Sequence, residues 1–320
     1  MTTSRAFYRL APLAFLFSCT PESDQVTFGV SAMSFANSEW SAPVNLGAAI
    51  NTTAGESVPA QSSDELRLYF TSDRAGGLGG NDLWVSQRAC DECAWETPVN
   101  LGAPVNGPGT EAGPRLSIDG HLLFFQSDRP GGQGAADIYV SRRDDPKDDL
   151  GWGDPVNLGT GVNTAAAEQA AAYLQSAEDG SVNLYFNRGA ANAQDLYYAA
   201  VTRDGETLGA AVLVAELSAS AAQDQHASVR KDGREIFFAS SRVVGGVGGL
   251  DLWTSARRSV HEPWSSPVNL GALLNTTTTD QQPSLSSNGR TLVFSSNRPG
   301  GFGGNDLWMS TRTPSGQEVP

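Results

Sequence analysis

A chain of 320 residues suffices for one large all-β domain or two ordinary ones, and its 35 glycines and 17 prolines suit many short strands joined by turns. Net charge is −14, with lysine only at Lys147 and Lys231, a balance that phosphate backbones repel and that argues against nucleic acid as a partner. Beyond the N-terminal apolar run, no stretch is long enough to span a bilayer.

The first element is an address. Arg5 and Arg9 precede an apolar run from Leu10 to Phe17, followed by Ser18 and Cys19. A positive n-region, a short apolar region and a small residue before the cut form an export signal. "LFSC" (16–19) resembles the bacterial lipobox, which implies lipidation of Cys19 as the first mature residue. Phe17 departs from the small residue usual there, and plain secretion is the alternative. Thr20 after the cysteine implies the outer membrane by that family's sorting rule. Residues 1–18 are therefore read as signal peptide, 19–39 as a tether and 313–320 as a C-terminal tail. With Cys19 lipidated, Cys90 and Cys93 in "CDEC" remain as an even pair in an oxidising compartment, and a local disulfide is expected. Asp91 and Glu92 between them would raise thiol pKa values, against a redox centre.

From Trp40 onward one phrase recurs: "WSAPVNLG" (40–47), "WETPVNLG" (95–102), "WGDPVNLG" (152–159) and "WSSPVNLG" (264–271). The steps between tryptophans are 55, 57 and 112, so a degenerate copy belongs near 208, at "LGAAVLVAEL". Five units of about 56 residues indicate a solenoid, propeller or array. Within each unit a polar turn leads to a short strand a, an "IDG"-type turn, an alternating strand b such as "LRLYFTS" or "EIFFASS", a glycine-rich loop, and strand c such as "DLWVS" or "DIYVS". Runs of four to eight residues rich in β-branched and aromatic types read as strands. The one tempting helix, "TAAAEQAAAY" (164–173), falls in register with strand a elsewhere. The tryptophan phrase is strand d. The last unit lacks its own, and the first "WSAPVNLG" has no a, b or c before it. The expectation is an all-β, five-bladed propeller over 40–312, each blade four-stranded and antiparallel, with 40–46 joining the last blade and removing the open edge.

"PSLSSNGRTLVFSSNRPGGFGGNDLWMS" (283–310) resembles the WD-repeat-like propeller repeat of TolB-type bacterial envelope proteins. The resemblance covers 40–312 and implies a propeller in the cell envelope. TolB itself adds a sixth blade and an N-terminal α/β domain, and neither is visible here.

Three charged slots recur in all five units: an acid opening strand a (Glu56, Glu111, Glu168, Asp224, Asp280), an arginine closing strand b (Arg74, Arg129, Arg188, Arg242, Arg298) and an aspartate opening strand c (Asp82, Asp137, Asp195, Asp251, Asp306). Antiparallel order puts all three on one face. The plain reading is that each arginine bridges the carboxylates beside it and pins the b–c loop. The sharper one is a negative ring that holds Ca²⁺. "GGLGGND" resembles the calcium turn of RTX proteins, but copies about 56 residues apart cannot stack as those turns do, and the loops rather need glycine for positive φ and close backbone approach. No cofactor is expected.

Two departures break the symmetry: unit three lacks Ser-Asp before its arginine ("YFNRGAANAQDLYY", 185–198), and unit four lacks its tryptophan and sets His226 two residues after Asp224. Because the acids repeat identically, the leading expectation is a monomeric, non-catalytic module that binds envelope proteins from a lipid anchor. The alternative is a carbohydrate-binding or glycoside-hydrolysing propeller, since two carboxylates at a central funnel suffice for acid–base hydrolysis.

Overall fold

The computed structural model describes residues 1, 2, 39–190, 192–219 and 221–313. Cys19 and nearly all of the signal peptide, tether and C-terminal tail lie outside the described residues. Five four-stranded antiparallel sheets account for every strand, and no helix occurs among the described residues. Blade one comprises Glu56–Gln61, Arg67–Ser72, Asp82–Gln87 and Val99–Asn100. Blade two comprises Glu111–Leu116, Leu122–Ser127, Asp137–Arg142 and Val156–Asn157. Blade three comprises Ala167–Gln175, Val182–Ala190, Ala193–Ala200 and Val212–Leu213, so the alanine-rich stretch is strand a. Blade four comprises Asp224–Val229, Glu235–Ser240, Asp251–Ala256 and Val268–Asn269. Blade five comprises Asp280–Leu285, Thr291–Ser296 and Asp306–Thr311, completed by Val44–Asn45 from the start of the ring.

Closure takes the form the repeat count predicts. Val44 and Asn45 pair with Met309 and Trp308, and Trp40 bridges Arg312. Trp40 also meets Phe237 edge-on at 5.9 Å between ring centroids.

Period-two alternation on strand b sews blade to blade. Leu68 and Phe70 pack with Val293 and Leu307 of blade five, whereas Tyr69 between them packs with Leu123 and Phe125 of blade two. A second recurrent cation escaped the sequence reading. Arg88, Arg143, Arg257 and Arg312 lie 4.6, 4.2, 4.1 and 4.7 Å from the ring centroids of Trp95, Trp152, Trp264 and Trp40. Each Nε donates to a carbonyl of the a–b turn in its own blade, of Glu65, Gly120, Gly233 and Gly289 respectively. Their spacing at repeat multiples was a legible signal.

Strand a of each blade contacts strand a of both neighbours, so these five strands line the axis. Every one carries a bulge at the same place, centred on Val58, Gly113, Ala170, His226 and Gln282, all at φ between 44° and 67°. The left-handed conformation re-aims the side chains along the channel wall. The bulge amides of Gly113, Ala170 and His226 donate to Thr71, Gln126 and Asn187 of the preceding blade, and that of Val58 to Gln282.

Candidate functional site

The strand a acids are buried. Glu56 accepts from the amide and hydroxyl of Thr52 at 2.8 and 2.7 Å, from Ser72 Oγ at 3.1 Å and from Arg74 at 3.0 Å. Glu111 pairs with Arg129 at 3.3 Å, Glu168 with Arg188 at 2.8 Å and Asp280 with Arg298 at 2.5 Å. Among the described residues these arginines reach the strand a acid and not the strand c aspartate. They also donate to backbone carbonyls such as Ile50, Val105, Val162 and Leu274, and Arg74, Arg129 and Arg298 to the hydroxyls of Ser72, Ser127 and Ser296.

Strand c aspartates serve their own loops. Asp82 accepts from Leu78 N at 2.5 Å and Asn100 Nδ2 at 2.9 Å, and Asp306 from Phe302 N at 2.5 Å and Asn45 Nδ2 at 3.1 Å. Asp137 and Asp251 do the same with Gln133 and Asn157, and with Val247 and Asn269. The glycines let each loop touch the next blade: a Cβ on Gly79 would sit 2.1 Å from the carbonyl oxygen of Gly109, and one on Gly303 2.1 Å from that of Ala54. The phrase that looked like a cation loop is a turn closed on its own carboxylate. No group of three or more His, Cys, Asp or Glu stands where it could hold a metal ion among the described residues.

Blades three and four depart from this scheme. The blade-three b–c connection lacks the glycine loop, and its strand d reads Val-Leu where the others read Val-Asn. Asp195 therefore loses both customary partners, and its half-buried carboxylate accepts no hydrogen bond among the described residues. Its neighbour Asp224 is fully buried and accepts from Ala219 N at 2.7 Å. Asp224 Oδ1 lies 3.1 Å from Arg242 Nη2 without the alignment of a hydrogen bond. Burial pushes the Asp224 carboxyl above the usual range, and the charge of Asp195 adds to the rise. The opposing pull of Ser240, the Ala219 amide and Arg242 falls short.

Glutamines surround this pair. Gln194 donates to Gln169 at 2.6 Å and Gln223 to Gln225 at 2.7 Å, with longer contacts from Gln223 to Gln194 and from Gln225 to Gln281. Three of them directly follow a strand a acid, a pattern visible in the sequence only once strand a is known to line the axis. His226, on the bulge below, is half-buried, and burial together with Arg115 pushes it down to about 3, so it is neutral. Far from this face, Cys90 and Cys93 are joined in a disulfide with their Cα atoms 5.0 Å apart.

No protein-family model matches the chain, and no curated protein matches it. Solved structures do. A thermostable family-43 glycoside hydrolase is 15% identical, with a TM-score of 0.56 covering 85% of this chain and 97% of that one. The catalytic domain of the Coprinopsis cinerea GH62 α-L-arabinofuranosidase is 13% identical, with a TM-score of 0.58 covering 87% and 98%. The Bacillus subtilis arabinanase Arb43A is 12% identical, with a TM-score of 0.55 covering 83% and 96%. TolB from Acinetobacter baumannii matches at 16% identity and a TM-score of 0.49, covering 82% and 55%.

At such identities the likeness establishes the five-bladed ring. It also corrects the leading expectation. A non-catalytic, protein-binding module is not what the ring resembles: the rings matched nearly end to end are those of glycoside hydrolases. The physical reason lies in the premise: the acids repeat in sequence, but Asp195 and Asp224 do not repeat in environment.

Proposed function

We propose that the chain is a carbohydrate-active propeller that takes a glycan at the channel mouth formed by blades three and four. The observation that carries this reading is the pairing of two unlike carboxylates, Asp224 buried and inclined to hold a proton, Asp195 half-buried and free of its loop. Carboxyl groups driven apart in this way divide the work of hydrolysis. Asp195, the partly exposed member, would meet the glycosidic bond or its water, and the buried Asp224 beside it would set its protonation from behind. The amides of Gln169, Gln225 and Gln281 offer both donors and acceptors for sugar hydroxyls. The structural neighbours named as arabinofuranosidases and an arabinanase make arabinose-containing glycans the first class to try.

The test is reducing-sugar release and glycan binding by the purified domain, against a panel that includes arabinan. Asp195→Asn should lower release by roughly 10²–10⁴-fold, the usual contribution of a general acid or base, Asp224→Asn should shift the pH profile of release, and Gln281→Ala should weaken binding. Neither binding nor release from any glycan would overturn the reading. Export and lipidation at Cys19 belong to the same proposal, supported by "LFSC" (16–19). Intact-mass analysis of the membrane fraction, with Cys19→Ser losing the acyl increment, tests them.

A further inference from the structure

Past the bulge, the channel wall carries a cation. Arg115 occupies the strand a position that Ala60, Ala172, Ser228 and Ser284 fill in the other blades. Its Nε donates to the carbonyl of Ala171 and its Nη1 to Ser284 Oγ, both at 3.3 Å and both to neutral acceptors. Among the described residues it has no carboxylate partner, in a protein of net charge −14. A half-buried guanidinium without a counter-charge is costly to keep out of water. Burial brings Arg115 down to about 10, which leaves it charged at neutral pH.

The guanidinium opens on a cavity of about 70 Å³ at the mouth opposite Asp224. Gln61, Ser228, Ser286, Ser287 and Lys231 line it, and no acid does. Lys231, one of the chain's two lysines, is exposed at the rim. One level deeper, His226 Nδ1 has no hydrogen-bond partner, while Nε2 lies 3.5 Å from Gln282 Nε2. With Nε2 accepting from that amide, Nδ1 carries the proton and is a further donor.

We infer that this mouth is an oxyanion site, distinct from the glycan site, in which Arg115 receives a carboxylate or phosphate group and Lys231 draws it in. Arginine's planar fork matches two oxygens of either group. A space of this size holds about two water-sized groups, so it admits the charged head of a ligand whose remainder lies outside, among serine hydroxyls.

Titration calorimetry at constant ionic strength and neutral pH tests the site, with sodium acetate and sodium phosphate as probes and sodium chloride as control. The expected result is saturable one-to-one binding of acetate, phosphate or both, with chloride silent; which of the two binds identifies the head group. Arg115→Met should weaken binding tenfold or more and Lys231→Glu several-fold. Lys231 is exposed, so its variant keeps the test decisive if Arg115→Met fails to fold. Absence of saturable binding to the unaltered protein, or binding unchanged in the folded variants, overturns the inference. Glycan release should be unchanged in Lys231→Glu, which separates this site from the one at Asp224.

Discussion

Replacing Arg74 with methionine tests how the ring is held. Glu56 is fully buried, and Arg74 Nη2 is 3.0 Å from it. Breaking a buried pair by removing one partner costs about 3–5 kcal/mol, because the remaining charge is uncompensated. Here the carboxylate keeps Thr52 N, Thr52 Oγ1 and Ser72 Oγ, which favours the lower end. Against that, Arg74 also holds the Ile50 carbonyl at 2.6 Å and lies over Phe70 and Trp84 at 4.8 and 5.3 Å. The expected cost is about 3–4 kcal/mol. For a domain of this size that lowers the thermal midpoint by roughly 6–15 °C. Circular dichroism melts of Arg74→Met, Glu56→Gln and the double variant give the coupling directly, and the double variant should be less damaged than the two single losses summed. Arg234→Met, which breaks a partly exposed contact to Glu178 at 3.5 Å, should hardly move the midpoint. An Arg74→Met midpoint within 2 °C of the unaltered protein would refute the reasoning, since it would mean the buried pair is solvated or replaceable.

Two more predictions concern backbone fit and pH. Gly79→Ala forces a Cβ to within 2.1 Å of a carbonyl oxygen on the next blade, whereas Gly304→Ala meets nothing within 4 Å. The first should cost about 1–3 kcal/mol as an overpacking change and the second almost nothing, read from denaturant midpoints. His226 is neutral in the fold with its pKa pushed down to about 3. Its contribution is therefore complete above the unfolded value near 6.5 and is lost as pH falls from there towards 3. Stability measured across that window should fall less steeply in His226→Gln, by up to about 1.4 kcal/mol per pH unit; identical slopes would show that His226 is protonated in the folded state.

The number of blades, their four-strand order and the closing strand at Val44–Asn45 were all legible in the sequence, because they follow from local patterns written five times over. Strand periodicity, turn residues and a repeat with one end missing specify a ring without reference to any distant contact. The charged slots were legible as positions but not as roles: spacing says that Arg298 lies near both Asp280 and Asp306, and only coordinates say that it reaches Asp280 alone. The departures in units three and four were visible too, yet their consequence was not. Asp195 looks like its four counterparts until the shortened loop and the missing strand d asparagine are placed around it. Arg115 gave no signal at all, since a single residue in a variable slot has no repeat to betray it. Repetition encodes what each blade does alone; how side chains from different blades meet at the axis depends on bulges and closure, which exist only once the ring has formed.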